Sequence, residues 1–160
     1  MRIASCLLAV AASAEVLCGG PPAASRPAGP EAHEYDAVLF DGNKTGYTAL
    51  TRRQSDTEVV TVSVMHLTLR RGPVPLNVDA TTTCRETLDS KPLALSYVQK
   101  MGPLTSKVDG TIVDGKFIYT SSSSVGGQAK PKTIPWPDGA LLSEGLEQLS
   151  RAKGFAPGTR

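Results

Sequence analysis

The sequence predicts a mainly β protein: a curved antiparallel meander, open and half-barrel-like, with one C-terminal α-helix packed on it. Residues 57–88 contain two long runs of Val, Thr and Leu, residue types that fit a pleated surface, interrupted by Gly72-Pro73. Short turns rich in Gly, Asn, Asp and Pro separate the other strand-like runs. A single amphipathic stretch follows near the C terminus, and it must bury its apolar side against the sheet.

The N terminus has the pattern of an export signal. It contains Arg2, an apolar run over residues 3–12 and the triplet Ala12-Ser13-Ala14, a small-x-small site of the kind that signal peptidase cuts. The run is too short to span a bilayer, which needs about 20 apolar residues. We therefore predict a signal peptide over residues 1–14 and an exported protein, periplasmic or extracellular.

The cysteines do not favour a lipid-anchored form. Cys18 lacks the preceding triplet of a lipid-modified cysteine, and Cys6 lacks an apolar region ahead of it. Because Cys6 leaves with the signal peptide, Cys18 and Cys84 are the two cysteines that could form a disulfide, and the sequence leaves their pairing open.

The rest of the chain divides into a leader and one domain. Residues 15–32 are mostly Gly, Pro, Ala and Ser without apolar periodicity, a composition that predicts a flexible leader. Residues 33–160 suit a single β-rich domain with one core.

The first strands are predicted over residues 34–40 and 46–53, joined by a reversal at 41–44. In the strand that begins the 57–88 stretch, the apolar face changes partway along. A β-bulge near Val64, or a strand covered on both faces, would reconcile the change. The two sets of apolar residues are Val60, Val62 and Val64, then Met65, Leu67 and Leu69.

The later strands follow in order. Residues 76–85 alternate cleanly, so one side of that strand is expected to face water. A turn at 89–92 leads to a strand over 93–101, which Gly102-Pro103 ends. Strands over 105–113 and 116–121 flank Asp114-Gly115, a strong hairpin signal, and a polar turn is predicted over 121–127.

The C-terminal helix is predicted to begin with a cap at Asp138 and to stop at Gly154. The prolines on either side of Trp136 exclude a central strand just before it. The candidate hydrophobic face, expected to pack on the sheet, consists of Leu142, Leu146, Leu149 and Trp136.

No motif predicts a catalytic, cofactor-binding or metal-binding residue. Cys84 is the candidate nucleophile, but it lies mid-strand on the apolar face, which favours a buried structural thiol. His66, without a second ligand in motif spacing, is expected to be a hydrogen-bonded structural residue. The spacing of Asp79, Glu86 and Asp109 gives no reason to expect a carboxylate pair.

Charge gives no indication of a nucleic-acid partner. The chain carries 17 basic and 15 acidic residues, a formal net charge of +2. Arg52-Arg53 and Arg70-Arg71 are interpreted as strand-end charges that keep the sheet edges soluble.

Five segments together resemble a known family. They are GNKTGY, LTLRRGPVPLNV, TTTCRETLDSKPLALSYVQKMGPLTSKVDGTIVDGKF, IPWPDGALLSEGLEQL and KGFAPGTR, within Tyr35–Arg160. The stretch is similar to the N-terminal β-domain of exported, planctomycete-type bacterial transglutaminase-like proteins. In that family the domain precedes a papain-like core with a Cys-His-Asp triad, and the signature of that core does not occur in this sequence. The resemblance implies a non-catalytic accessory or interaction domain.

The same resemblance implies a partner: a C-terminal transglutaminase-like domain or another exported protein. Residues 155–160 have the form of a linker into a further strand, so the chain is expected to be part of a longer protein. The architecture is also similar to the open half-barrel of periplasmic lipoprotein carriers, which leaves a carrier of a hydrophobic ligand as the alternative.

Overall fold

The computed structural model describes residues 31–71 and 74–154. The predicted signal peptide, nearly all of the predicted leader, the Gly72-Pro73 turn and residues 155–160 lie outside this part. In chain order the elements are β1 (Glu31–Phe40), β2 (Asn43–Gln54), β3 (Glu58–Arg71), β4 (Val74–Thr87), β5 (Pro92–Met101), β6 (Leu104–Val113), β7 (Lys116–Ser123), β8 (Gly127–Gln128), β9 (Lys132–Pro135) and α1 (Ser143–Lys153).

The strands form one antiparallel sheet in which each strand from β1 to β7 pairs with the next. Both β8 and β9 pair with β7, so they are two pieces of one edge strand. Within the described residues β1 pairs with β2 alone, and the sheet is therefore open rather than closed. The predicted fold class, a mainly β meander with one C-terminal helix, is confirmed.

Two hairpins owe their tight turns to Asp-Gly pairs. Asp41 and Gly42 have φ of 51° and 75°, and Asp114 and Gly115 have φ of 50° and 67°. Positive φ at both central residues is the geometry whose twist matches that of antiparallel strands, and Asp followed by Gly tolerates it. Both reversals were expected from the sequence at these positions.

Of the two explanations offered for the change of apolar face in β3, the β-bulge near Val64 is wrong. The register between β2 and β3, and between β3 and β4, runs through this residue without a shift. Val59 and Thr61 are buried on one face of β3, and Met65 continues that face, while Val64 lies half-buried on the other. Register shifts occur instead between Val38 and Leu39 and between Arg85 and Glu86.

Three further boundaries differ from the prediction. β1 begins at Glu31, two residues before the expected start of the folded part. β7 continues to Ser123 through the serines that were expected to form a turn. The helix begins at Ser143 rather than at Asp138, because Gly139 has a φ of 73°, which a right-handed helix cannot contain.

The two faces of the sheet differ in what covers them. The helix-side face carries Cys84 and Glu86 of β4 and the residues that share their side of the sheet; we call the opposite side the far face. Helix α1 reaches this sheet over β3 and β4. Among the described residues the buried apolar side chains are few: Ala32, Val59, Val78, Ala80, Cys84, Phe117 and Leu142. No helix in the described part is both long and apolar enough to cross a membrane.

Candidate functional site

The first candidate is a polar cluster that joins the helix to the sheet. Glu86 of β4 has no exposed surface, and its carboxylate accepts hydrogen bonds from the backbone N–H groups of Glu144, at 2.7 Å, and Gly145, at 2.9 Å. The N-cap residue Leu142 makes no side-chain cap hydrogen bond. Because the first N–H groups of a helix have no partner within it, Glu86 acts as a cap supplied by the sheet.

The side chain of Glu144 is fixed by an arginine from β2. Arg52 Nε donates to Glu144 Oε2 at 2.7 Å, and Arg52 Nη2 donates to Oε1 at 3.0 Å, a two-point contact between planar groups. Only 12% of the Arg52 side chain is exposed. The interpretation of Arg52 as a solubilising strand-end charge is therefore wrong, whereas Arg53 is exposed and pairs with Glu31 at 3.0 Å.

We call Arg52, Cys84, Glu86, Ser143 and Glu144 the helix-docking cluster. Burial raises the pKa of Glu86, although the backbone N–H groups of Glu144 and Gly145 act in the opposite direction. The hydrogen bond to Glu144 raises the pKa of Arg52. The charged groups of Arg52, Glu86 and Glu144 make hydrogen bonds to one another or to the backbone of the helix, so the cluster serves to position the helix.

Cys84 has the properties of a structural thiol. It is free, only 3% exposed, and its sulfur accepts a hydrogen bond from Ser143 Oγ at 3.4 Å. Burial raises the pKa of the thiol, which disfavours the reactive thiolate. A nucleophile needs both the thiolate and access to substrate, and this position disfavours both.

The other candidate residues lie apart from one another. On the far face, His66 Nδ1 is 2.5 Å from Asp79 Oδ1, and the ring of His66 stacks on Tyr47 with centroids 5.6 Å apart. Asp109, also on the far face, accepts from Ser96 at 2.6 Å. Since Glu86 lies on the helix-side face, the three carboxylates are not brought together. Among the described residues no group of His, Cys, Asp or Glu could hold a metal ion.

No family model, curated protein or solved structure matches this chain. The function must therefore be argued from the surfaces of the protein.

The predicted hydrophobic face does not pack as one surface. Leu142 is buried, and Trp136 is half-buried with its ring edge toward Phe117, at a centroid distance of 6.0 Å. In contrast, Leu146 is 48% exposed and Leu149 is 40% exposed. The expected burial of these two leucines against the sheet is wrong, because the polar contacts of the first helical turn fix how the helix sits.

A second candidate surface lies on the helix-side face, far from the helix. Four large apolar side chains, one from each of β3 to β6, lie 38% to 44% exposed; we call them the apolar row, and they are Leu69, Leu76, Met101 and Leu104. Leu69 lies opposite Leu76, and Met101 lies opposite Leu104. Leu76 precedes Glu86 by ten residues of β4, or roughly 33 Å of extended chain. The helix therefore leaves this end of the face uncovered.

A groove of about 440 Å³ on the far face is the third candidate, and it runs across β4 to β7. Its charged walls are Arg85 and Asp109. Each is already paired, Arg85 with Glu58 at 2.7 Å and Asp109 with Lys107 at 2.6 Å. The groove therefore offers mainly Thr and Ser hydroxyls and aliphatic groups.

Sequence reasoning missed the helix-docking cluster. The alternation that places Ala80, Thr82 and Cys84 on one face continues to Glu86, so a carboxylate stands at an inward position of the strand. A buried acid needs a donor, and a helix N-terminus without its own cap supplies two. That inward-facing Glu86 was the available signal.

Proposed function

We propose that this chain is a non-catalytic extracytoplasmic interaction module, an accessory domain for a transglutaminase-like catalytic domain or another exported protein. The single observation that carries the proposal is the apolar row. Four side chains on adjacent strands span about three strand spacings, or roughly 14 Å, and each is more than a third exposed. A contiguous apolar patch on rigid elements is a recurring mark of a protein interface.

The burial of its charged groups supports a structural rather than a catalytic role for the helix-docking cluster. The carboxylate of Glu86 has no exposed surface, and Glu144 is only 4% exposed. Proton transfer to a substrate requires hydrogen-bond reach, which neither carboxylate offers in this arrangement. The helix-docking cluster supports the module by fixing α1 at one end of the helix-side face, so that the apolar row stays clear of it.

Titration calorimetry with a purified papain-like transglutaminase core tests the proposal. The chain should bind the core, and Leu76→Lys should weaken the affinity by roughly thirtyfold, as expected for a central apolar contact worth about 2 kcal/mol. Val113→Lys is the matched control, because Val113 is 50% exposed and lies at the opposite end of β6 from Leu104. Equal affinities of the two variants would show that the apolar row does not contribute to the interface. Absence of binding to the core would show that the core is not the partner.

The exposed leucines of the helix favour a second candidate, a carrier of a hydrophobic ligand. Leu146 and Leu149 add apolar surface on α1 to that of the sheet, and a lipid chain could cover both. Native mass spectrometry of the protein purified without detergent distinguishes the two functions. A lipid bound at one per chain, and lost in Leu146→Lys, would establish the carrier; a protein of the unliganded mass favours the module.

A further inference from the structure

The turn between β1 and β2 contains a pattern for N-glycosylation. Residues Asn43-Lys44-Thr45 read Asn-x-Thr with a residue other than proline in the middle, which marks an acceptor asparagine in exported proteins. The sequence has one other asparagine, Asn77, and Val78-Asp79 after it does not complete the pattern. Because a three-residue pattern often occurs by chance, the site must be judged by its place in the fold.

The acceptor lies where an enzyme can reach it. Asn43 is exposed and begins β2 directly after the tight turn. Its side-chain nitrogen donates to the carbonyl oxygen of Asp41 at 3.1 Å, an exposed hydrogen bond that water can replace. Thr45 is the extra residue at the register shift of the β1–β2 ladder, and its hydroxyl donates to the carbonyl oxygen of Val38 at 3.3 Å. The polar groups of the pattern therefore contact nearby backbone at the tip of the hairpin rather than the core.

An exposed aromatic ring stands beside the acceptor. Phe40 is 72% exposed and is the register partner of Asn43 across the turn, so the two side chains share a face, with their Cβ atoms roughly 5 Å apart. Within the described residues Phe40 stacks on no other ring. A sugar ring has a face of C–H groups, and the electron-rich face of an aromatic ring attracts such groups. The first sugar on Asn43 would therefore cover a phenyl ring that otherwise faces water.

We propose that Asn43 is an N-glycosylation site and that the first sugar of the glycan packs on Phe40. The donor is an activated sugar, a lipid-linked glycosyl diphosphate, and an oligosaccharyltransferase catalyses the step. Asn43 Nδ2 forms a bond to the anomeric carbon of the sugar while the bond from that carbon to the diphosphate oxygen breaks. The electron pair leaves with the diphosphate, and one Nδ2 proton passes to a base of the transferase. The inference rests on the extracytoplasmic location proposed above, but it does not depend on the apolar row.

Transfer to the purified, folded chain tests the site. The chain is incubated with a purified oligosaccharyltransferase and a lipid-linked oligosaccharide, and its intact mass should increase by one glycan. Asn43→Gln and Thr45→Val should receive none, whereas Asn77→Gln, the matched control at the other asparagine, should be modified like the wild type. An unmodified wild type, or equal transfer to Asn43→Gln, would overturn the site. Cell fractionation tests the location separately, because a chain retained in the cytoplasm would refute export without changing the result of the transfer assay.

Thermal unfolding tests the contact with Phe40. Each variant is compared with its own unmodified form, so that the effect of the substitution itself cancels. The glycan should raise the Tm of the wild type by about 2 to 5 °C, as expected for one additional cross-strand contact in a domain of this size. Phe40→Ala should lose this gain. Tyr35→Ala is the matched control, because Tyr35 is a 74% exposed ring on the same strand whose register partner is Ala49, and it should keep the gain. An equal gain in Phe40→Ala, or none in the wild type, would refute the packing on Phe40.

Discussion

The strongest test of the helix-docking cluster is Glu86→Ala. The substitution removes the acceptor for the N–H groups of Glu144 and Gly145, both of which are buried. Leaving a buried donor unsatisfied costs about 1 to 3 kcal/mol each. The variant also no longer buries a carboxylate, and the absence of this desolvation penalty offsets part of the loss in stability. We expect a net loss of about 2 to 4 kcal/mol in the free energy of unfolding.

Urea unfolding at pH 7 measures this loss. With a slope near 2 kcal/mol per molar urea, the midpoint should fall by about 1 to 2 M without a change in slope. Glu86→Gln should lose about half as much, because its amide oxygen can serve one N–H while its amide nitrogen faces the other. Glu147→Ala is the matched control: that glutamate is only partly buried and pairs with Arg151 within the helix, so its loss should stay below about 0.5 kcal/mol. An unchanged midpoint for Glu86→Ala would refute the cap.

The other predictions concern pH, packing and the thiol. Burial raises the pKa of Glu86 above its usual 4.5, so the additional stability that comes from protonating this group in the folded state is complete below that pH and is lost as the pH rises through the raised value. From pH 7 down to 4.5 the wild type should therefore gain stability relative to Glu86→Gln in urea unfolding, and parallel curves would contradict the raised pKa. The hydrogen bond from Lys91 lowers the pKa of Asp89 to about 2, so the titration of Asp89 changes stability only below this pH range. Leu142→Ala should lower the free energy of unfolding by about 2 to 4 kcal/mol, whereas Leu146→Ala, at a half-exposed position, should lower it by less than about 1.5 kcal/mol. Urea midpoints in the reverse order would show that the leucine stripe docks the helix. A maleimide probe should label Cys84 slowly in the folded protein and rapidly in denaturant, and fast native labelling below neutral pH would indicate a reactive thiol. Gly110→Ala should destabilise the sheet by about 1 to 3 kcal/mol in thermal unfolding, because the added methyl group would meet the ring of Phe117 and lie 2.7 Å from the carbonyl oxygen of Ile118. Gly126→Ala should destabilise it less, because a methyl group there meets only the hydroxyl of Ser123.

The strands could be predicted because their signals are local. The alternation of residues 76–85 and the two Asp-Gly turns determine direction and face without reference to the rest of the chain. The start of the helix could not be predicted in this way. Asp138 has the form of a cap, but Gly139 takes a left-handed conformation and Ala140 N–H donates to the carbonyl of Pro137 at 3.1 Å, so these residues form a turn.

The candidate surfaces depend on contacts that a pattern in one segment does not contain. Leu142, Leu146 and Leu149 have helical spacing, and this spacing predicts that all three are buried. The helix is instead placed by Glu86 and Arg52, and one leucine is buried while two remain exposed. Exposure of the apolar row likewise follows from how little of the sheet an eleven-residue helix covers.

The cap supplied by Glu86 also predicts an order in which the protein assembles. Glu86 and Glu144 are 58 residues apart in the chain, and Arg52 and Glu144 are 92 apart. An isolated helix shorter than about 12 residues is marginal in water, so α1 has little helical structure until β2 and β4 are in place. The helix should therefore form last in folding and open first in the native state, with its amide hydrogens exchanging before those of the central strands. The N–H groups of Glu144 and Gly145 thus report whether α1 is docked on Glu86, and not whether the sheet beneath them is intact.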